Sequence, residues 1–207
     1  MYCHARFDDK KFIMPPSGFQ SDKSIKRAKK VEWEHVVPAE NFGRVFVEWR
    51  EGDESCVNSK GKTYKGRRCA NKEYRLMQSD LNHLFPAIGS VNGMRSNYNF
   101  AMLPDVSSDF GSCAMKIHDR KAEPPVSARG RIARTYLYME ETYPRYNMSK
   151  QQRQLMTVWD KQFPVSAWEC QRAKRIENIQ GNVNAILKER CHSSFRHEQE
   201  NIPTNSK

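Results

Sequence analysis

Val31-Glu32-Trp33-Glu34-His35-Val36-Val37-Pro38-Ala39-Glu40-Asn41-Phe42-Gly43 is the stretch from which the rest of the chain can be read. Its first seven residues have strand composition, and Pro38 ends the run. Proline is tolerated in the first turn of a helix, so residues 38–42 predict a helix start. Phe42, Val45, Phe46 and Trp49 then recur at helical spacing and carry it on. Inside the strand, Glu34 and His35 stand side by side. A histidine with a neutral ring nitrogen takes a proton from water near neutral pH, and a neighbouring carboxylate holds a hard divalent cation. Adjacent side chains of a regular strand point to opposite faces, so for both to reach one reacting group the backbone has to leave ideal geometry here. The same dipeptide also describes a half-exposed strand with a solvated glutamate and a packed histidine.

Upstream, residues 1–30 are polar and basic, broken by Pro15, Pro16 and Gly18, and read as extended chain and loops. Downstream, residues 51–70 form a loop bracketed by Cys56 and Cys69. Its run Lys60-Gly61-Lys62-Thr63-Tyr64-Lys65-Gly66-Arg67-Arg68 interleaves cations with an aromatic ring, as phosphate-tracking surfaces do and as a solvated basic loop also does. Asn71 can cap a helix with Tyr74, Met77, Leu81 and Leu84 on one face, carrying Asn82 and His83 and stopped by Phe85-Pro86. Residues 89–98 read as a turn-rich stretch. Asn92 there offers a carbonyl ligand for Mg²⁺ or Ca²⁺ and Arg95 a planar fork for phosphate, although turns also use asparagine and glycine for their own sake. His118 falls in a strand or loop. The last third is helical: residues 128–143, 149–162 and 165–180 each present one apolar face, and Gly181 ends the third helix. The segment 193–207 is polar and reads as a loosely held tail.

At 207 residues the chain suits a single domain. Apolar residues make up 38 %, so a core can form, and the mean hydropathy of −0.86 reflects a charged surface. The net charge of +11 favours polyanionic partners, nucleic acid first. No apolar run is long enough to cross a bilayer, and residues 1–30 lack the charged start and apolar stretch of a secretory signal. The cysteines at 3, 56, 69, 113, 170 and 191 include no CxxC pair. Their even count and wide spacing read as disulfides formed in an oxidising compartment, with a zinc site as the rival reading. Cys56 and Cys69 are the pair that can be guessed, since they would close the polar loop between them.

Taken together, four segments resemble the bacterial endonuclease I family of periplasmic and secreted nucleases. They are the opening stretch; Pro86-Ala87-Ile88-Gly89-Ser90-Val91-Asn92-Gly93-Met94-Arg95-Ser96-Asn97; Ala128-Arg129-Gly130-Arg131-Ile132-Ala133-Arg134-Thr135-Tyr136-Leu137-Tyr138-Met139; and Trp168-Glu169-Cys170 with Arg175-Ile176 and Ile179-Gln180-Gly181-Asn182. The resemblance implies a mixed α+β single domain with a ββα-metal (His-Me finger) core, whose helical third is C-terminal. It implies His35 as general base and Glu34 and Asn92 as the protein ligands of one Mg²⁺, a site that Mn²⁺ or Ca²⁺ can also take. Arg67, which follows a glycine as in the family pattern, is expected to steady the scissile phosphate, with Arg68 next in line and Arg95 and Arg129 as further phosphate contacts. The expected activity is largely non-specific hydrolysis of double- and single-stranded DNA, and of RNA, to 5′-phosphate products. The expected form is a monomer without a membrane partner, periplasmic or secreted. Three departures stand out: a shorter N-terminal segment, Ala5 and Ser17 near places where relatives carry cysteine, and Met94 where they often carry aspartate.

Overall fold

The computed structural model describes residues 1–69 and 71–200. Arg6–Phe7 (β1) and Ile13–Met14 (β2) pair as a short antiparallel hairpin, and Ile25–Ala28 (α1) leads into Val31–His35 (β3). After Pro38 the spacing suggested one helix; the chain makes two, Ala39–Gly43 (α2) and Val47–Glu51 (α3). Phe46 between them is extended, with φ −89° and ψ 134°. The break folds Trp49 back over α2, where its ring comes within 2.6 Å of the position a Gly43 side chain would begin. Only glycine admits the indole there.

The basic loop carries one turn of 3-10 helix, Gly66–Arg68, and Asn71 caps Lys72–Ser79 (α4) by accepting from the Glu73 N–H at 2.8 Å. This helix stops short of the expected Leu84. Asp80 ends it, because its carboxylate collects the Asn82 N–H and the side chains of Tyr138, Tyr143 and Gln180, at 2.6–2.8 Å. Asn82 and His83 therefore lie in a turn, not on a helix, and Leu84–Ile88 (β4) is a strand.

β4 runs antiparallel to β3, with Glu34 opposite Phe85 and His35 opposite Leu84. Bonds from Gly89 N to Lys30 O and from Val36 N to His83 O fix the register, and by alternation Trp33 and Pro86 form a non-hydrogen-bonded pair. Proline sits there without losing a ladder bond. The next segment is not the expected turn but a helix, Gly89–Arg95 (α5), in which Gly89, Ser90, Val91 and Arg95 are buried. Its first glycine is present for packing: a Cβ on Gly89 would meet the Arg27 carbonyl at 2.6 Å and Glu32 at 2.7 Å. β3, β4 and α5 together make the ββα unit.

Asn99–Phe100 (β5) lies parallel to Lys121–Glu123 (β7), which pairs antiparallel with Lys116–His118 (β6). Helices Val126–Thr142 (α6), Lys150–Gln162 (α7), Ala167–Gln180 (α8) and Ala185–Glu200 (α9) form the C-terminal third. Ser149 and Ser166 cap α7 and α8, and Gly181 closes α8 in the left-handed region. α9 carries the chain as helix to Glu200; residues 201–207 of the expected tail lie outside the described residues. α6 is the centre of the core: Ile132, Ala133, Tyr136 and Met139 are fully buried against Met156 and Trp159 of α7. Arg134 of α6 is buried too and ties the helices together, binding Glu169 through two nitrogens and Asp160 and the Phe163 carbonyl through a third. The cysteines pair in three disulfides, as their count and spacing suggested: Cys3–Cys113, Cys56–Cys69 and Cys170–Cys191. This is a mixed α+β domain built on one hydrophobic core.

Candidate active site

β3 pairs with β4 along one edge; on the other, Val31 N donates to Lys11 O at its start and Arg95 donates to the His35 carbonyl at its end. A cleft of about 690 Å³ is lined by the successive residues Glu32, Trp33, Glu34 and His35, and by Asn92 and Arg67 from elsewhere in the chain. Side chains of both strand faces reach it. The backbone does not leave regular geometry at Glu34 and His35, as the strand argument required; pairing continues through His35, and the cleft takes in residues of both faces.

One face of β3 is covered by α5. Asn92 donates its amide to Glu32 at 3.0 Å, and Arg95, three residues along the helix, donates to Glu34 at 2.6 Å. Glu34 is only 1 % exposed, and its Oε1 accepts both Arg95 and the Tyr2 hydroxyl, each at 2.6 Å. Neither bond uses Oε2. Burial raises the Glu34 carboxyl above its usual range, against the pull of Arg95 and Tyr2. Asn92 is held in the same sense: with its NH₂ given to Glu32, its carbonyl oxygen is left for something else. Glu32 is itself gripped by Arg27, whose guanidinium lies where any side chain on Gly93 would stand.

The other face carries His35. Its Nε2 lies 2.9 Å from the Gln78 carbonyl at the end of α4. A carbonyl only accepts, so Nε2 bears the proton and Nδ1 keeps a free lone pair. The ring stands edge-on to His83, which is fully buried, with centroids 5.2 Å apart. Burial, then the charge of Arg67, hold the His35 imidazolium down to about 4, so the ring is neutral at physiological pH.

Arg67 comes from the 3-10 turn, which Gly66 opens at φ +68° and the Cys56–Cys69 bridge closes. Trp49, packed on Tyr74 at 5.0 Å, walls the cleft beside it. Arg68 turns away, over the Tyr64 ring at 5.3 Å, and is not part of the lining. Arg95 is 1 % exposed, and its bonds go inward to Glu34 and to the His35 and Val36 carbonyls. Arg129 lies elsewhere, bound to Glu123 at 2.5 Å and set over Trp159. Met94 packs partly buried against the core, outside the cleft, and His118 is exposed on β6. Thus His35, Glu34, Asn92 and Arg67 come together, whereas Arg68, Arg95 and Arg129 do not line the cleft. Glu32, Arg27, Tyr2 and Trp49 escaped the sequence reading. Period two along β3 places Glu32 on the face of Glu34 and is the signal by which it was findable.

The endonuclease I family model matches residues 8–191. Endonuclease-1 of Buchnera aphidicola subsp. Acyrthosiphon pisum (strain APS) is 42 % identical over 178 residues, 84 % of this chain and 66 % of that protein. A periplasmic deoxyribonuclease of Aeromonas hydrophila is 39 % identical over 198 residues, 91 % of this chain and 77 % of its own length. An extracellular deoxyribonuclease of the same organism is 38 % identical, over 91 % of this chain and 79 % of its own. The family match takes in β3, β4, α5 and the loop of Arg67, and the chain belongs to the endonuclease I family.

Proposed function

We propose that this protein is a metal-dependent endonuclease that hydrolyses DNA phosphodiesters with little regard for sequence. The observation that carries the reading is His35: neutral, with its proton fixed on Nε2 by the Gln78 carbonyl and Nδ1 left as acceptor in the cleft. Nδ1 takes a proton from water as the water oxygen bonds to phosphorus; the bond to the 3′ oxygen breaks, and that oxygen is protonated from solvent. The products carry a 5′ phosphate and a 3′ hydroxyl. Arg67 donates to the nonbridging oxygens of the scissile phosphate. A bound phosphate also offsets the Arg67 charge that depresses His35, so substrate makes the base stronger.

The residues present fit a hard cation. Glu34 accepts both of its hydrogen bonds on Oε1 and Asn92 donates its NH₂ to Glu32, so each keeps an oxygen free to ligate. With Glu34 and Asn92 as its protein ligands, such an ion would keep several waters, as Mg²⁺ does. Glu34 and Asn92 would hold Mg²⁺, which would supply positive charge against the charge that grows on the phosphoryl group. Tyr2 and Arg95 hold Glu34, and Glu32 holds Asn92.

The net charge of +11 draws phosphate backbones, which carry no base sequence, so double- and single-stranded DNA serve as substrates and RNA as a further one. Three disulfides and relatives named as periplasmic and extracellular support an exported protein, which we propose acts as a monomer. No helix among the described residues is long and apolar enough to cross a membrane. The test is nicking of supercoiled plasmid with Mg²⁺, with EDTA, and by His35→Ala. Metal-dependent nicking abolished by the substitution is expected; binding without cleavage across several metals and pH values would overturn the reading.

A further inference from the structure

Next to the catalytic cleft lies a second basin of about 200 Å³. Glu40 and Asn97 line both, so the two share a wall. The wall is internally satisfied: Glu40 accepts from Asn97 and from Arg44, so its charge is offset before any ligand arrives. What remains on the basin side is cationic and donor-rich. Arg44 is 69 % exposed and spends one nitrogen on Glu40. Asn41 donates to the Asn99 side-chain carbonyl at 2.8 Å, a bond that does not use the Asn99 NH₂ donors.

The fourth group is Arg120. It sits with Asp119 in a two-residue turn between the paired residues His118 and Lys121. Both turn residues have positive φ, 45° and 57°, a left-handed conformation that non-glycine residues rarely adopt. The tight turn holds Arg120 at the basin, where its charge reaches Glu40, and Arg120 donates no hydrogen bond among the described residues. A strained turn that presents an unspent guanidinium beside a polar basin is an arrangement for holding an anion.

We infer that this basin is a phosphate subsite for the nucleic-acid strand beside the scissile phosphate, with Arg44, Arg120 and the Asn99 amide as its donors. The inference rests on the nuclease reading for the strand in the main cleft. Arginine and amide donors aimed at backbone phosphate bind every sequence alike, so the subsite sets how tightly and in what register a strand lies, not which bases it carries.

The test is binding of a 20-base-pair duplex in EDTA, where turnover does not intrude, from low to moderate salt. It compares wild type, Arg44→Ala, Arg120→Ala and the double variant. The control is Lys161→Ala/Lys174→Ala, which removes the same charge from exposed positions on α7 and α8 that line neither cavity. Each lost phosphate contact lowers the slope of log affinity against log salt by about 0.9. The expected result is a slope lower by about one per arginine, with binding roughly fivefold weaker for each at low salt and the control near wild type. An unchanged slope in the arginine variants, or an equal fall in the control, would overturn the subsite. Plasmid nicking by the wild type is read separately: its absence counts against the nuclease reading, while the duplex slopes still decide the basin.

Discussion

Arg95→Met removes the charge on which β3 rests while keeping length and apolar volume. The wild-type guanidinium is 1 % exposed and gives three bonds of 2.6–2.8 Å, to Glu34 and to the His35 and Val36 carbonyls, and it stacks 4.5 Å from the Phe100 ring centre. Breaking a buried ion pair from one side costs about 3–5 kcal/mol, because the remaining charge stays buried without a partner. Two backbone acceptors lose donors at about 1 kcal/mol each, and the burial of methionine returns roughly that amount. The net loss is about 4 kcal/mol, out of a total stability on the order of 5–15 kcal/mol. For a domain of this size the melting temperature falls by roughly 10 °C. The assay is urea unfolding followed by circular dichroism with disulfides intact, run as a double-mutant cycle with Glu34→Gln. Removing the orphaned charge should return about 2 kcal/mol, so the double variant is more stable than Arg95→Met alone. A loss under about 1 kcal/mol, or a Glu34→Gln change that only adds its own cost, would refute the argument. Arg95→Met that fails to fold while the double variant folds gives the same sign.

Two further outcomes are expected. Cys56→Ala/Cys69→Ala releases a loop of sequence separation 13, worth about 3 kcal/mol by chain entropy, most of it local to the loop that carries Arg67. Plasmid nicking should fall at least about tenfold and amide exchange across residues 57–68 accelerate; unaltered nicking would show that the bridge does not position Arg67. Burial alone would raise the Asp80 carboxyl, but hydrogen bonds from Gln180, Tyr138, the Asn82 N–H and Tyr143 outweigh it and hold the group below the usual carboxylate range. Its stabilisation is therefore complete above about pH 4 and is lost as pH falls through the lowered value. Unfolding midpoints in urea between pH 2.5 and 7 should drop more steeply on the acid side for wild type than for Asp80→Asn, and parallel curves would contradict this.

What the sequence made legible follows from range. Gly181 is a local signal, and α8 ends at it. Glu34, His35 and Asn92 received their expected roles through resemblance, since the strand argument alone favoured a solvated glutamate and a packed histidine. The helix expected through Leu84 ended early because Asp80 meets Tyr138, Tyr143 and Gln180, partners some 58 to 100 residues away that no local window contains. The helix across Gly43 broke because Trp49 needed the space above it, a packing fact invisible to spacing. α5 was read as a turn because Gly89, Asn92 and Gly93 resemble turn composition, whereas close approach to Arg27 and Glu32 is what selects those glycines. Arg95 was offered to phosphate because a free guanidinium and one committed to a buried carboxylate look the same in a sequence.

The break between α2 and α3 has a spectroscopic consequence. It puts one indole, Trp49, in the cleft wall, and Trp33 joins it there half exposed, while Trp159 is sealed in the core at 2 % exposure. The chain thus carries two optical probes of its cleft and one of its core, with a fourth indole, the half-exposed Trp168 of α8, to be replaced by Phe beforehand. Quenching or a wavelength shift at Trp33 and Trp49 reports what enters the cleft, and the Trp159 signal holds until the molecule unfolds. Single Trp→Phe replacements separate the two, so binding and unfolding can be followed in one cuvette without attaching a label.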